Sequence, residues 1–241
     1  MTAITMTNLT KLYGSLSAVD NLNLSIEKGE LFSLLGVNGA GKTTTIKMLS
    51  CLIKPTSGDA VLLGTSVSAR PQVIKESISI SPQETAIAAN LSVSENLELI
   101  ARIYGQGKTT AKQNVYAIAE QFGLSNDLHK KVKKLSGGMQ RRLSIAMALI
   151  TNPKILFLDE PTLGLDVLAR RELWASINAL KGKVTIILTT HYLEEAEALS
   201  DRLGVMSGGK LVAVGTVVEL TGQTGTTKLE DAFVTLAGGS V

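Results

Sequence analysis

Leu22, Leu24 and Ile26 alternate with polar neighbours, the period-two pattern of a strand with one buried face, and a second strand is expected around Ile4 to Leu9. Together they predict an antiparallel flap near the start of the chain. Leu31 to Leu35 is almost wholly apolar and stops at Gly36, as a strand buried on both faces would. Helical spacing begins at Gly41 and lasts to about Leu52, and Pro55 and Gly58 mark the turn beyond it. Strand patterns recur at Ala60 to Leu63, Ile78 to Ile80, Ile155 to Leu158, Val184 to Leu188 and Arg202 to Met206. Helical or mixed segments separate most of them, so the chain reads as α/β.

The strand signal vanishes between Gln83 and about Thr151, where helical patterns run over Val93 to Tyr104, Thr110 to Phe122 and Ser136 to Ile150. The expected organisation is one folding unit over 1–241 with a helical subdomain, about 84–151, inserted into its α/β core. There is no repeat and no low-complexity linker. Lys228 to Leu236 reads as a short terminal helix, followed by a frayed tail at Gly238, Gly239 and Ser240.

Composition narrows the class. The 241 residues are 44% hydrophobic and 19% charged, an ordinary globular balance that excludes disorder. A formal net charge of +3 with scattered Lys and Arg makes no nucleic-acid footprint, and the cluster Lys130, Lys131, Lys133, Lys134 reads as a solvated loop with an exposed His129 beside it. Cys51 is the single cysteine, which rules out an internal disulfide and fits a reducing cytosol; it reads as a small core residue on a helix. Mean hydropathy is +0.22, yet no apolar stretch approaches the ~20 residues of a spanning helix and no signal peptide is visible. The aliphatic richness instead suits a parallel sheet covered on both faces.

The segment Gly36-Val37-Asn38-Gly39-Ala40-Gly41-Lys42-Thr43-Thr44 fits G-x-x-x-x-G-K-[ST], between an apolar strand and a helix. Triphosphate oxygens need several converging donors, and glycines let backbone N–H groups turn inward. The helix N-terminus adds its positive end. Lys42 is suited to reach the β- and γ-phosphates and the Thr43 hydroxyl to coordinate Mg²⁺. Taken alone, the motif does not separate an ATPase from a GTPase or a small-molecule kinase.

Ile155 to Leu158 is an apolar strand that delivers Asp159 and Glu160 at its C-terminal end, where ligands of such sheets bind. Asp159 is suited to hold Mg²⁺ and Glu160 to accept a proton from an attacking water. Two acids after a strand could equally cap the next segment.

Leu135-Ser136-Gly137-Gly138-Met139-Gln140-Arg141 decides between these, because here the chain resembles the ATP-binding-cassette (ABC) ATPase family. The likeness extends over almost the whole chain: Tyr13, the Gly36 to Thr44 loop, Gln83, Leu135 to Gln140, Ile155 to Glu160, Leu165-Asp166 and His191. It implies a P-loop NTPase (RecA-like) fold, with a mainly parallel core, an N-terminal antiparallel β flap and an inserted helical subdomain. Ser136 also reads physically as an N-cap.

The resemblance implies ATP and Mg²⁺ as ligands and two cassettes, most simply a homodimer, closing head to tail over two ATP molecules. Ser136, Gly137, Gly138 and Gln140 would then meet the nucleotide held by the partner, with Ser136 and Gly138 at its γ-phosphate. Asp166 would link the two sites. Gln83 would sense Mg²⁺ and the attacking water, and His191 would bond the γ-phosphate and orient Glu160. Tyr13 would stack on adenine beside Val19. Two positions depart from the family's habit: Val37 where Pro is usual, and Cys51 where Gly is common.

Leu91 to Leu97, Ala101 to Gly105 and Leu229 to Phe233 look like the exporter cassettes that pair with separate six-helix permeases. This implies a subunit peripheral at the inner, cytoplasmic face of the cell membrane, coupled to an integral membrane permease near Gln83 to Leu97, with no direct nucleic-acid partner. The end at Val241 leaves no room for an added regulatory domain. Two other readings are a soluble family member acting on ribosomes or nucleic acid, and a nucleotide switch with negligible hydrolysis. The transported substrate would be chosen by the permease.

Overall fold

The computed structural model describes residues 1–238; Gly239 and Ser240 of the expected tail lie outside the described residues. Strands β1 (Thr2–Tyr13) and β2 (Leu16–Glu27) pair antiparallel, with Ile4 opposite Ile26, Met6 opposite Leu24 and Leu9 opposite Leu22. All six side chains are buried, so alternation directs one face of the flap inward. Strand β3 (Leu31–Leu35) enters the core and α1 (Lys42–Leu49) leaves it. The chain returns to the flap through β4 (Ser57–Leu62) and the short β5 (Thr65–Ser66), giving a sheet in the order β2-β1-β4-β5.

Helix α2 (Pro71–Lys75) leads into β6 (Ile78–Ser81). Three helices follow before another strand: α3 (Val93–Ile103), α4 (Lys108–Gln121) and α5 (Gly137–Leu149). Val93, Leu97 and Ala101 form a buried i, i+4, i+8 stripe on α3, and Ala111, Val115 and Ala119 form its counterpart on α4. Helix α5 packs in the same cluster as Leu156 and Leu158, and so joins these helices to the sheet.

Next come β7 (Ile155–Asp159), α6 (Val167–Asn178), β8 (Thr185–Thr190), α7 (Leu193–Leu199), β9 (Arg202–Ser207), β10 (Lys210–Gly215), α8 (Val217–Thr224) and α9 (Leu229–Leu236). The second sheet runs β10-β9-β3-β8-β7-β6, with parallel pairing throughout except for the edge pair β9 and β10. Every residue of β3, β7 and β8 is buried, because helices cover one face and the flap with α1 covers the other. The C-terminal ends of β3, β6, β7 and β8 therefore open on one edge.

Cys51 departs from expectation. Helix α1 stops at Leu49, and Cys51 takes a left-handed conformation (φ 58) in the turn that reverses the chain toward Pro55. It is half-buried rather than a helical core residue.

Candidate nucleotide site

The loop after β3 is shaped by close backbone approach. A Cβ on Gly36 would lie 2.6 Å from the Met206 carbonyl oxygen, and one on Gly41 would lie 2.4 Å from that of Ala18. Gly41 also takes φ 101, a conformation that only glycine adopts without strain. Helix α1 starts directly behind it, with no side-chain cap and no acid in its first turn. Its N-terminal donors and positive end are thus offered to an anion.

Lys42, 4% exposed, donates to the carbonyls of Gly36 (2.8 Å) and Val37 (3.1 Å). Burial lowers its pKa from the ordinary lysine value, while Glu160 and Asp159 nearby act to raise it. The Lys42 ammonium stands 3.7 Å from Glu160 Oε1. On the other side, His191 Nδ1 lies 3.2 Å from Glu160 Oε2, without hydrogen-bond alignment. One carboxylate is thus held between a lysine from the phosphate loop and a histidine from the end of β8.

Asp159 accepts from the hydroxyls of Thr43 (3.0 Å) and Thr189 (2.5 Å). Glu160 follows with φ 46, and its N–H donates to both the carbonyl and the hydroxyl of Thr189, each at 3.1 Å. The left-handed turn re-aims successive carboxylates, one to the base of the phosphate loop and one into the cleft. Such conformations cost about 1–3 kcal/mol and persist only where surrounding structure fixes them. Among the described residues, no group of three or more His, Cys, Asp and Glu side chains could hold a metal. The hydroxyl and carboxylate at Thr43 and Asp159 still suit Mg²⁺, which uses few protein ligands and relies on substrate phosphates and water for the rest.

A cleft of about 590 Å³ is lined by Tyr13, Asn38, Gly39, Ala40, Gly41, Lys42, Thr43, Thr44, Gln83, Glu160 and His191, together with Leu16, Ser17, Ala18 and Leu163. Val19 is fully buried beneath Gly41, and Leu16 to Ala18 line the cleft beside Tyr13. Ser136, Gly137, Gly138, Gln140 and Asp166 do not line this cleft. The Ser136 hydroxyl caps α5 by accepting from Met139 N–H, and Asp166 caps α6 by accepting from Ala169 N–H. A Cβ on Gly138 would meet that of Ala169 at 2.9 Å, so these two helix starts are packed together. The Gln140 amide is committed to the carbonyls of Leu135 (3.1 Å) and Val132 (3.4 Å). It braces the turn before α5, one turn from the Ser136 cap.

The family pattern described as ABC transporter matches residues 19–163, more than half of the chain. The chain belongs to the ABC transporter family. It is an ATP-binding and ATP-hydrolysing subunit with the P-loop cassette fold. It is 40% identical over 230 residues to the daunorubicin resistance ATP-binding protein DrrA3 of Streptomyces coeruleorubidus, covering 95% of this chain and 73% of that protein. It is 43% identical over 223 residues to the Nod factor export ATP-binding protein I of Cupriavidus metallidurans, covering 91% and 73%. A solved ATP-binding subunit of an ABC transporter matches with TM-score 0.86 and 28% identity over 97% of this chain and 99% of that one. A dimeric ATP-binding cassette in a post-hydrolysis state with ADP and Pi matches with TM-score 0.80 and 26% identity, over 89% and 98%.

Two buried charges in this cassette escape the sequence reading. Arg141, 4% exposed, gives its guanidinium to backbone carbonyls around the site, and burial pulls its pKa down to about 10 against the pull of Asp159 and Glu195. Glu195, fully buried on α7, accepts from the Trp174 indole at 3.2 Å, and burial raises its pKa. A signal existed for both. Arg141 falls on the buried stripe with Ile145 and Ala148, and Glu195 on that with Leu199, where a charge among apolar positions needs an explanation.

Proposed function

We propose that this chain is the ATP-driven subunit of a membrane exporter, working as a pair of cassettes against a separate permease. Residues 1–241 would form one ABC ATPase domain carrying a helical subdomain at about 84–151. The observation that carries the site assignment is the placement of the Glu160 carboxylate between Lys42 and His191 at the mouth of a cleft floored by the phosphate loop.

In this reading Glu160 takes a proton from the attacking water, and His191 holds its carboxylate in register from the far side. Lys42, already desolvated, exchanges loop carbonyls for β- and γ-phosphate oxygens. Gln83 borders the cleft where a water would approach. Mg²⁺, held by Thr43, Asp159 and Gln83, would neutralise charge on the triphosphate. Tyr13 is half-exposed at the cleft rim, as a residue that stacks on an adenine needs to be.

The Ser136 to Gly138 cap and Asp166 have no access to their own cleft, which supports their meeting a nucleotide held by a second copy. Leu163, Val167 and Leu168 beside Asp166 are exposed apolar side chains suited to that contact. A second cleft of about 370 Å³, lined by Pro82, Ala86, Ile100, Tyr104 and Met147, lies between the core and the inserted helices. It suits a short apolar helix of the permease, and it extends past the expected Gln83 to Leu97 segment. Among the described residues, no helix is long and apolar enough to cross a membrane. The reported relatives are named for drug resistance and Nod factor export, which favours this reading over an ATPase acting on ribosomes or nucleic acid.

MgATP turnover of the wild type and of Glu160→Gln tests the assignment. Loss of the base should lower turnover by roughly 100-fold or more with nucleotide binding retained. Equal rates would remove Glu160 from the mechanism.

A further inference from the structure

The Arg141 guanidinium touches three parts of the ATPase at once. Nη1 donates to the carbonyls of Pro82 (2.5 Å) and Gln83 (3.2 Å), Nη2 to that of Asp159 (2.7 Å) and Nε to that of Pro161 (2.8 Å). Asp159 and Pro161 are the two neighbours of Glu160, so a single planar group grips the backbone on both sides of the left-handed residue. The same group holds the segment that carries Gln83 into the cleft. Pro82 also lines the apolar groove between the core and the inserted helices, as does Ser144, one turn along α5 from Arg141.

A fork with donors in fixed directions is what this arrangement needs. Four carbonyls from two loops converge on one plane, and a lysine ammonium, a single point, could not reach all of them. The side chain is nearly sealed from water, which strengthens each bond and makes the loss of any one more costly. Arg141 lies on the helix that begins at the Ser136 cap, so the cap, the groove and the carboxylate pair share one rigid connection.

We propose that Arg141 is a positioning residue for hydrolysis: it locks the turn at Glu160 to the Pro82 and Gln83 segment and so fixes the aim of the Glu160 carboxylate. The proposal rests on the ATPase site described above. It places Arg141 behind the reacting atoms, so its loss should disturb the chemical step and leave nucleotide affinity nearly intact.

The test is steady-state MgATP hydrolysis by the full chain carrying Arg141→Gln or Arg141→Lys, each alone and combined with Glu160→Gln, with thermal melting to score the folded fraction. Misplacement of the base should lower kcat about tenfold or more while KM stays within about threefold. Arg141→Lys should fall between wild type and Arg141→Gln. Because Arg141 acts through the Glu160 carboxylate, the Arg141→Gln loss should shrink to about threefold or less when Glu160→Gln is already present. Loss of fold alone would lower the active fraction without this non-additivity. Wild-type kcat in Arg141→Gln, a raised KM with kcat retained, or an undiminished loss in the Glu160→Gln background would each overturn the proposal. Glu160→Gln, assayed alongside, separates two failures. If it too turns over normally, the site assignment and this inference fall together; if it is inactive while Arg141→Gln is normal, only the role of Arg141 is lost.

Discussion

Glu195 illustrates how a buried acid links neighbouring parts of the site. It lies beside the hydroxyls of Thr162, on the segment between Glu160 and Asp166, and Thr190, next to His191, with Arg170 as the nearby cation that opposes its rise in pKa. Burial wins, so the folded protein binds a proton above the ordinary value of 4.5 that the unfolded chain has released. That proton's contribution to stability is complete below about pH 4.5 and is lost as pH climbs through the raised value. Glu195→Gln mimics the protonated carboxyl and escapes this loss. Its melting temperature should therefore gain on wild type as pH rises above about 4.5. A difference that stays constant over that range would show that Glu195 does not titrate there. For Val19 and Gln140, the family's order of motifs marks their neighbourhood, and packing adds that one lies under the loop and the other is tied to preceding carbonyls.

Elements whose apolar pattern matches their burial were legible in advance. Leu31 to Leu35 and Ile155 to Leu158 read as strands from their apolar runs, and both are fully buried because the parallel sheet is covered on both faces. The helices of the insertion show in their i, i+4 stripes and in the cap at Ser136. By contrast, β10 alternates weakly at a sheet edge, and its best marker is the two-glycine turn at Gly208 and Gly209. Helix α6 buries only Leu173 and Ile177 while exposing Val167 and Leu168, so its sequence lacks a clean apolar face. Helix α3 carries a full capping box: Ser92 Oγ accepts from Glu95 N–H at 3.2 Å, and the Glu95 carboxylate accepts from Ser92 N–H at 2.7 Å. Ser92→Ala should lower unfolding free energy by about 1 kcal/mol in urea titration. An unchanged midpoint would mean that the cap does not limit the stability of α3.

For the whole molecule, the sheet explains the site's location, and the starts of α5 and α6 lie outside its cleft. The residues that flank Glu160 come from β3, β7 and β8, so they were expected to converge; the orientation of Ser136 and Asp166 away from that cleft is a property of how α5 and α6 pack, which no local sequence signal encodes. If two copies complete each other, Glu160→Gln with MgATP should run as a dimer in light scattering and revert to monomer when nucleotide is removed. Adding Ser136→Arg should keep it monomeric while each copy still binds ATP. A particle of monomer mass at every concentration and nucleotide load would end the paired reading.

The left-handed backbone at Glu160 also bears on how this chain could be made more robust. Glycine or asparagine accepts φ 46 with less strain, so a screen that rewards folding alone would drift away from glutamate at that position. Selection for resilience and selection for turnover thus part company at a single codon, and a consensus-style stabilisation effort would have to leave that codon alone.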